Sequence, residues 1–318
     1  MNRWKPKLLA PSAPDLPLSQ RIGELLRQQR ATWDLFRKGE EALGSITTKK
    51  FYFDNRHVIV QANPGRFIST SAKVDPQSIA KRPCFLCPES LPPAERGIAS
   101  GDFVLLPNPY PILCSHLTIA FNRHEPQRIA GHIPEFIALV KELGPAMFLL
   151  YNGPRCGASA PDHMHFQACA GGGVPLFEQL PSTIINGGIE PLAIGGRNLL
   201  AGSFADAADA ADFIGRSLAA LQTITGEPEE PMLNIVARFS SGRYSIAFFP
   251  RAKHRSARYF APPDRRLSIS PAAMEMAGIV VVAEATHFDR VDAEAVRTIY
   301  REVTLGPDLF SRLAKAVA

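Results

Sequence analysis

The strand-patterned stretches of this chain come in runs, and helix-patterned stretches interrupt them without strict alternation. Residues 51–70 (FYFDNRHVIVQANPGRFIST) read as strands with a turn at Asn63-Pro64-Gly65. Strand-like segments follow at 102–113, 116–124, 147–153 and 163–170, with one helical pattern among them at 133–144. Strict strand–helix alternation would build a parallel sheet. Its absence points to an α+β fold with antiparallel sheets and flanking helices. Ahead of these strands, apolar residues at helical spacing predict one amphipathic helix over 18–42.

After a Gly-rich bridge at 171–175 the pattern repeats loosely. Strand-like material spans 176–198, a helix is expected over 205–224, and 232–250 reads as a hairpin around Ser240-Ser241-Gly242. A buried strand at 276–284 and two short helices end the chain. The expected organisation is an N-terminal helical segment (1–50), a first half (51–175) and a degenerate second repeat (176–318). The 318 residues leave room for such a duplication.

The net charge of +5 favours an anionic partner. Lysines and arginines neither cluster in a run nor interleave with aromatics, which argues for a small anion such as a polyphosphate and against nucleic acid. No stretch matches a secretory leader or a membrane span. Five scattered cysteines suit a reducing compartment, so a cytoplasmic enzyme is expected. Neither G-x-G-x-x-G nor a P-loop pattern is present, which removes the Rossmann and Walker phosphate sites.

Two clusters carry chemistry. In the first, HMHFQACA, alternation along a strand places His163, His165 and Gln167 on one face and turns Met164 and Phe166 to an apolar core. The loop before it offers backbone amides near Gly157 and the Ser159 hydroxyl to phosphate oxygens. In the second, Cys84-Phe85-Leu86-Cys87 lies between Pro83 and Pro88. It suits a knuckle that, with two histidines, would hold zinc in a closed tetrahedral site; a buried pair of thiols and a redox pair are its rivals.

The block Asn152–Gln167 (NGPRCGASAPDHMHFQ) resembles the active-site signature of the histidine-triad superfamily, in the branch where glutamine replaces the third histidine. That branch holds the galactose-1-phosphate uridylyltransferases, the diadenosine tetraphosphate phosphorylases (ATP adenylyltransferases) and the GDP-hexose phosphorylases. The G-A-S-x-P-x-H-x-H-x-Q wording is most similar to the diadenosine tetraphosphate enzymes. Residues 107–111 (PNPYP), 116–124, MLNIV from Met232 and MAGIV from Met276 extend the likeness loosely over about 50–285. The resemblance implies a histidine-triad-like fold of two degenerate repeats.

It also implies nucleotidyl transfer through a covalent nucleotidyl-histidine, with His165 as nucleophile, Gln167 holding the α-phosphate and Ser159 with Gly157 stabilising its charge. Asn108 and Asn152 become candidate nucleotide contacts. Lys253, beside His254 and Arg255, becomes a candidate phosphate contact. Arg66, Lys73 and Arg82 rank below them, since most such residues are only solvated charges. The implied zinc ligands are Cys84, Cys87, His124 and His163, with His116, at the other end of the same strand, competing with His124. Phosphorolysis of a dinucleoside polyphosphate is the leading activity. A GDP-hexose phosphorylase, a hexose-1-phosphate uridylyltransferase and a non-catalytic nucleotide sensor are the alternatives. The implied partners are a nucleotide or nucleotide sugar and inorganic phosphate, and a homodimer is the assembly to test.

Overall fold

The structure, a computed structural model, describes residues 2–10, 13, 15–53, 55–66 and 75–317. Lys73 and the expected strand end at 67–70 lie outside the described residues. The main sheet has nine strands, all antiparallel: β3 (Ile98–Ser100), β4 (Phe103–Pro107), β5 (Leu117–Phe121), β6 (Met147–Asn152), β7 (His165–Ala170), β8 (Ile189–Ile194), β9 (Arg197–Phe204), β10 (Leu233–Ser240) and β11 (Arg243–Pro250). Their order is β3-β4-β5-β7-β6-β10-β11-β9-β8. A second sheet joins β1 (Thr47–Phe53), β2 (Arg56–Ala62) and β12 (Ile279–Val282), where β2 and β12 run parallel. That pair departs from the all-antiparallel expectation.

Local chemistry explains the turns. Between β10 and β11, Ser241 (φ 52°) and Gly242 (φ 74°) both occupy the left-handed region, as a two-residue hairpin of the expected hand requires. Gly195 (φ 57°) and Gly196 (φ 95°) turn β8 into β9 in the same way. The strand-like reading of 176–198 ran through this glycine pair. It also missed two helical turns, Pro175–Glu178 and Ser182–Ile185, whose Leu176, Phe177 and Ile184 are buried in the core cluster shared by the two sheets. The turn into β2 falls between Phe53 and Arg56, and Asn63-Pro64-Gly65 instead opens a single 3-10 turn.

The helix expected over 18–42 is two: α1 (Leu18–Thr32) and α2 (Asp34–Leu43). Trp33 breaks it with extended backbone (φ −128°, ψ 95°), which turns its indole into the core beside Phe36.

The two faces of the main sheet are covered differently. One face packs Leu105, Ile119, Phe166 and Leu149 beneath α1, α3 (Ile133–Leu143), α4 (Ala207–Thr225) and α6 (Pro307–Val317). On the other, Leu150, Val236 and Ala247 pack against the second sheet and α5 (Ala293–Val303), whereas Val104, Leu106 and Ala120 pack against Trp4 and the cysteine knuckle. Between these coverings runs one rung of register partners, Leu106–Thr118–Gln167–Leu150. Alternation aims all four side chains into the gap, and all four line a cavity there.

Candidate active site and metal centre

The cavity holds about 510 Å³ and reaches from the knuckle to the loop after β11. His165 and Gln167 rise into it from β7, Ser159 and Gly157 from the loop before, and His254, Arg255 and Ser270 from the second half. The strand begins at His165, so His163 sits in the turn ahead of it and not in the ladder.

His165 is 2% exposed, and its Nδ1 lies 2.7 Å from the carbonyl oxygen of His163. A carbonyl only accepts, so Nδ1 carries the proton and Nε2 keeps its lone pair. Burial lowers the imidazole pKa to about 4, with the bond to His163 opposing. At neutral pH this is an uncharged imidazole of fixed tautomer, the state a nucleophile needs.

Its backbone is held by Gln127, which the sequence gave no reason to single out. Gln127 Oε1 accepts from His165 N (2.7 Å), while Nε2 donates to the carbonyls of Asn152 and His165 (2.9 Å each). The side chain is wholly buried. We expect Gln127→Leu to destabilise the fold by on the order of 3 kcal/mol, because three buried backbone groups lose their partner. Denaturant unfolding measures this, and a loss under about 0.5 kcal/mol would show that water replaces the amide.

Gln167 is oriented by a second buried imidazole. Ile112 N donates to His116 Nδ1 (3.2 Å), so His116 Nε2 is the protonated nitrogen and donates to Gln167 Oε1 (3.0 Å). The Gln167 NH₂ group is thereby left without a protein partner among the described residues and available to an anion.

The other candidates fare unevenly. Gly157 has φ +104°, and a Cβ there would stand 2.4 Å from Ala272 Cβ, so glycine lets the loop dock on the second half. The Ser159 hydroxyl has no protein partner among the described residues, whereas Arg82 Nη2 donates to its carbonyl (3.1 Å). Asn152 Oδ1 accepts from Asn234 Nδ2 and Ala273 N (3.0 and 2.8 Å), tying three segments together. Asn108 forms a turn: Oδ1 accepts from Tyr110 N (2.9 Å) and Nδ2 donates to Thr118 (3.3 Å). Arg66 lines the cavity and donates to the Tyr110 carbonyl (2.6 Å). Lys253 points away, 3.8 Å from Glu302, while buried Arg251 bonds the carbonyls of Lys253 and His254 and shapes that loop. Its neighbours His254 and Arg255 face the cavity instead, both bonded to the Ser270 hydroxyl (2.9 Å each).

Cys84, Cys87, His124 and His163 bring one donor atom each within 4.8 Å of one another. His163 Nδ1 lies 3.3 Å from Cys84 Sγ and 3.7 Å from Cys87 Sγ, and His124 Nδ1 lies 3.4 Å from Cys87 Sγ. A zinc tetrahedron with ordinary Zn–S and Zn–N bonds has S···N edges of about 3.5 Å, so the spacing fits. The surroundings fit as well: His163 Nε2 donates to the Phe121 carbonyl (2.8 Å), leaving Nδ1 its lone pair. His116, occupied with Gln167, lies outside this cluster.

A family described as a domain of unknown function, DUF4922, matches residues 25–170, ending with the last residue of β7. No curated protein matches the chain. Among solved structures, the Ap4A phosphorylase Apa2 of yeast superposes with a TM-score of 0.58 at 15% identity, covering 91% of this chain and 94% of that one. The fold is that of an Ap4A phosphorylase. Apa2 in complex with Ap4A gives a TM-score of 0.56 at 16% identity over 89% and 97% of the two chains. Apa2 in complex with AMP gives 0.56 at 17% over 88% and 96%. The likeness is one of fold, and it extends over about nine-tenths of the chain, beyond the 50–285 stretch over which the sequence motifs resemble the histidine-triad branch.

Proposed function

We propose that the chain is a nucleotidyltransferase acting through a nucleotidyl-His165 intermediate, and that its reaction is phosphorolysis of a dinucleoside polyphosphate. The observation that carries this reading is the His165 imidazole: neutral, tautomer-fixed by the His163 carbonyl, and lining the cavity beside Gln167. Nε2 would attack the α-phosphorus, forming a P–N bond as the P–O bond to the leaving nucleoside polyphosphate breaks. An oxygen of inorganic phosphate would then attack the same phosphorus and break the P–N bond, releasing a nucleoside diphosphate. The Gln167 amide and the Ser159 hydroxyl stand where they can donate to the α-phosphate oxygens. His254 and Arg255, at the far end of the cavity, suit the leaving polyphosphate and the incoming phosphate.

In this reading residues 51–175 form the catalytic half and 176–318 supply the wall that holds the phosphates. Zinc, held by Cys84, Cys87, His124 and His163, would be a closed structural cross-link with no part in the chemistry.

The test is a panel of dinucleoside polyphosphates and nucleotide sugars, each with and without inorganic phosphate. Phosphate-dependent release of a nucleoside diphosphate supports the reading, and no turnover of any member ends it. We expect Gln167→His to raise hydrolysis relative to phosphorolysis by about 10-fold, since a protonatable group then stands beside the intermediate. Product ratios at fixed phosphate measure it, and an unchanged ratio would remove Gln167 from the control of water.

A further inference from the structure

The cavity has an end that the transfer chemistry does not use. Two strand spacings from Gln167 along the rung, about 10 Å, the wall becomes apolar. Leu106 comes from β4, Phe85 and Leu86 from the knuckle, Leu91 from the loop after it, and Trp33 from the break between α1 and α2. Among the described residues, one ionisable side chain stands in that wall. Glu95 is 6% exposed, lines the cavity, and has no hydrogen-bond or ion-pair partner for its carboxyl among the described residues.

Its backbone is firmly held. Glu95 N donates to the Pro92 carbonyl (3.0 Å), and on either side Gln29 of α1 bonds the Ala94 carbonyl (3.1 Å) and Arg96 N (2.9 Å). Lys7, the cation whose charge reaches Glu95, gives its ammonium to the carbonyls of Leu91 and Pro92. A rigid carboxyl without a partner in an apolar wall is costly, and a ligand that completes it offsets the cost.

We infer that Glu95 reads the hydrogen-bonding edge of an adenine base and sets the base specificity of the nucleotide site. The inference rests on the nucleotidyl-transfer reading of the cavity and extends it. A carboxyl among Leu, Phe and Trp side chains, with no cation in contact, favours its neutral form. Burial raises its pKa to about 8, with Lys7 opposing. A neutral carboxyl presents one O–H donor beside one C=O acceptor. Adenine answers with its N1 acceptor and 6-amino donor. Guanine can pair through O6 and N1–H, but its 2-amino group is then left against the apolar wall. Cytosine and uracil offer one ring, and so less apolar surface than a purine to lay against Trp33, Phe85 and Leu106. The distance from Gln167 to this wall matches the reach of a nucleotide from α-phosphate to base.

Calorimetry with AMP, GMP, CMP and UMP tests this on the intact chain. Wild type is expected to bind AMP about 10-fold or more tightly than GMP. Glu95→Leu should lose about 10-fold or more in AMP affinity with melting temperature kept or raised, because an unpartnered acid leaves an apolar wall. Glu95→Gln, whose amide offers the same donor–acceptor pair, should recover most of that loss. A folded Glu95→Leu with wild-type AMP affinity would overturn the inference. So would wild type that prefers GMP, a result that stands even if Glu95→Leu does not fold. A protein that forms the His165 adduct equally from every base refutes the base reading alone. AMP selectivity without an adduct from any donor refutes only the transfer reading.

Discussion

Replacing His165 with alanine is expected to abolish turnover, by about 10³-fold or more, and with it a covalent adduct that wild type accumulates when phosphate is withheld. The two nitrogens of the ring are not equivalent. Nδ1 is committed to the His163 carbonyl, so only Nε2 can attack, and it lines the cavity next to Gln167. The imidazole does not need to lose a proton first, since burial already keeps it neutral. Supplied with a dinucleoside polyphosphate and no phosphate, the protein should gain the mass of one nucleoside monophosphate. The P–N bond should be lost in acid and survive in base. Adding inorganic phosphate should discharge it as the nucleoside diphosphate. A turning-over enzyme that never gains this mass, or His165→Ala at near-wild-type rate, would rule out the covalent route. Melting curves guard the comparison, because alanine also removes the bond to the His163 carbonyl.

The parts of this site that the sequence made legible share a physical basis. Strand alternation placed His165 and Gln167 on one face from their spacing alone, and proline-flanked cysteines three residues apart at the ends of a knuckle have few uses besides convergence. His124 and His116 compete as strand-end histidines in the sequence. The fold separates them, one toward the knuckle and one toward Gln167. What stayed hidden depends on contacts between distant segments. Gln127 and Glu95 are single polar residues in loops without periodicity, and each acquires its setting from chain 25 to 67 residues away. Lys253, His254 and Arg255 read in the sequence as one basic cluster, and charge alone does not say which of them faces a phosphate. The buried Arg251 turns that loop so that His254 and Arg255 face inward. The Asn108 amide is bonded within the protein through both Oδ1 and Nδ2, whereas the bonds that the fold gives Asn152 engage its Oδ1. The break at Trp33 was invisible because a tryptophan at that position satisfies helical periodicity as well as it satisfies a buried break.

Purified protein is expected to carry one zinc per chain, and Cys87→Ser to lose the metal together with stability on the order of several kcal/mol. The four donors come from segments that have little else in common: the knuckle, the end of the segment after β5, and the turn before β7. Few apolar side chains join them, so an ion there would act as a cross-link between loops. Its removal should therefore loosen the knuckle and the His163 turn together. Because the His163 carbonyl fixes the His165 tautomer, activity should fall with metal content. Elemental analysis and melting temperature should move in step across Cys84→Ser, Cys87→Ser and His124→Ala. His116→Ala separates the two sites: it should keep its zinc yet lose activity, since its partner is Gln167 and not the knuckle. Loss of zinc in His116→Ala with retention in His124→Ala would reassign the ligand. Metal-free wild type with full activity and an unchanged melting temperature would leave the four donors as a packed cluster of thiols and imidazoles.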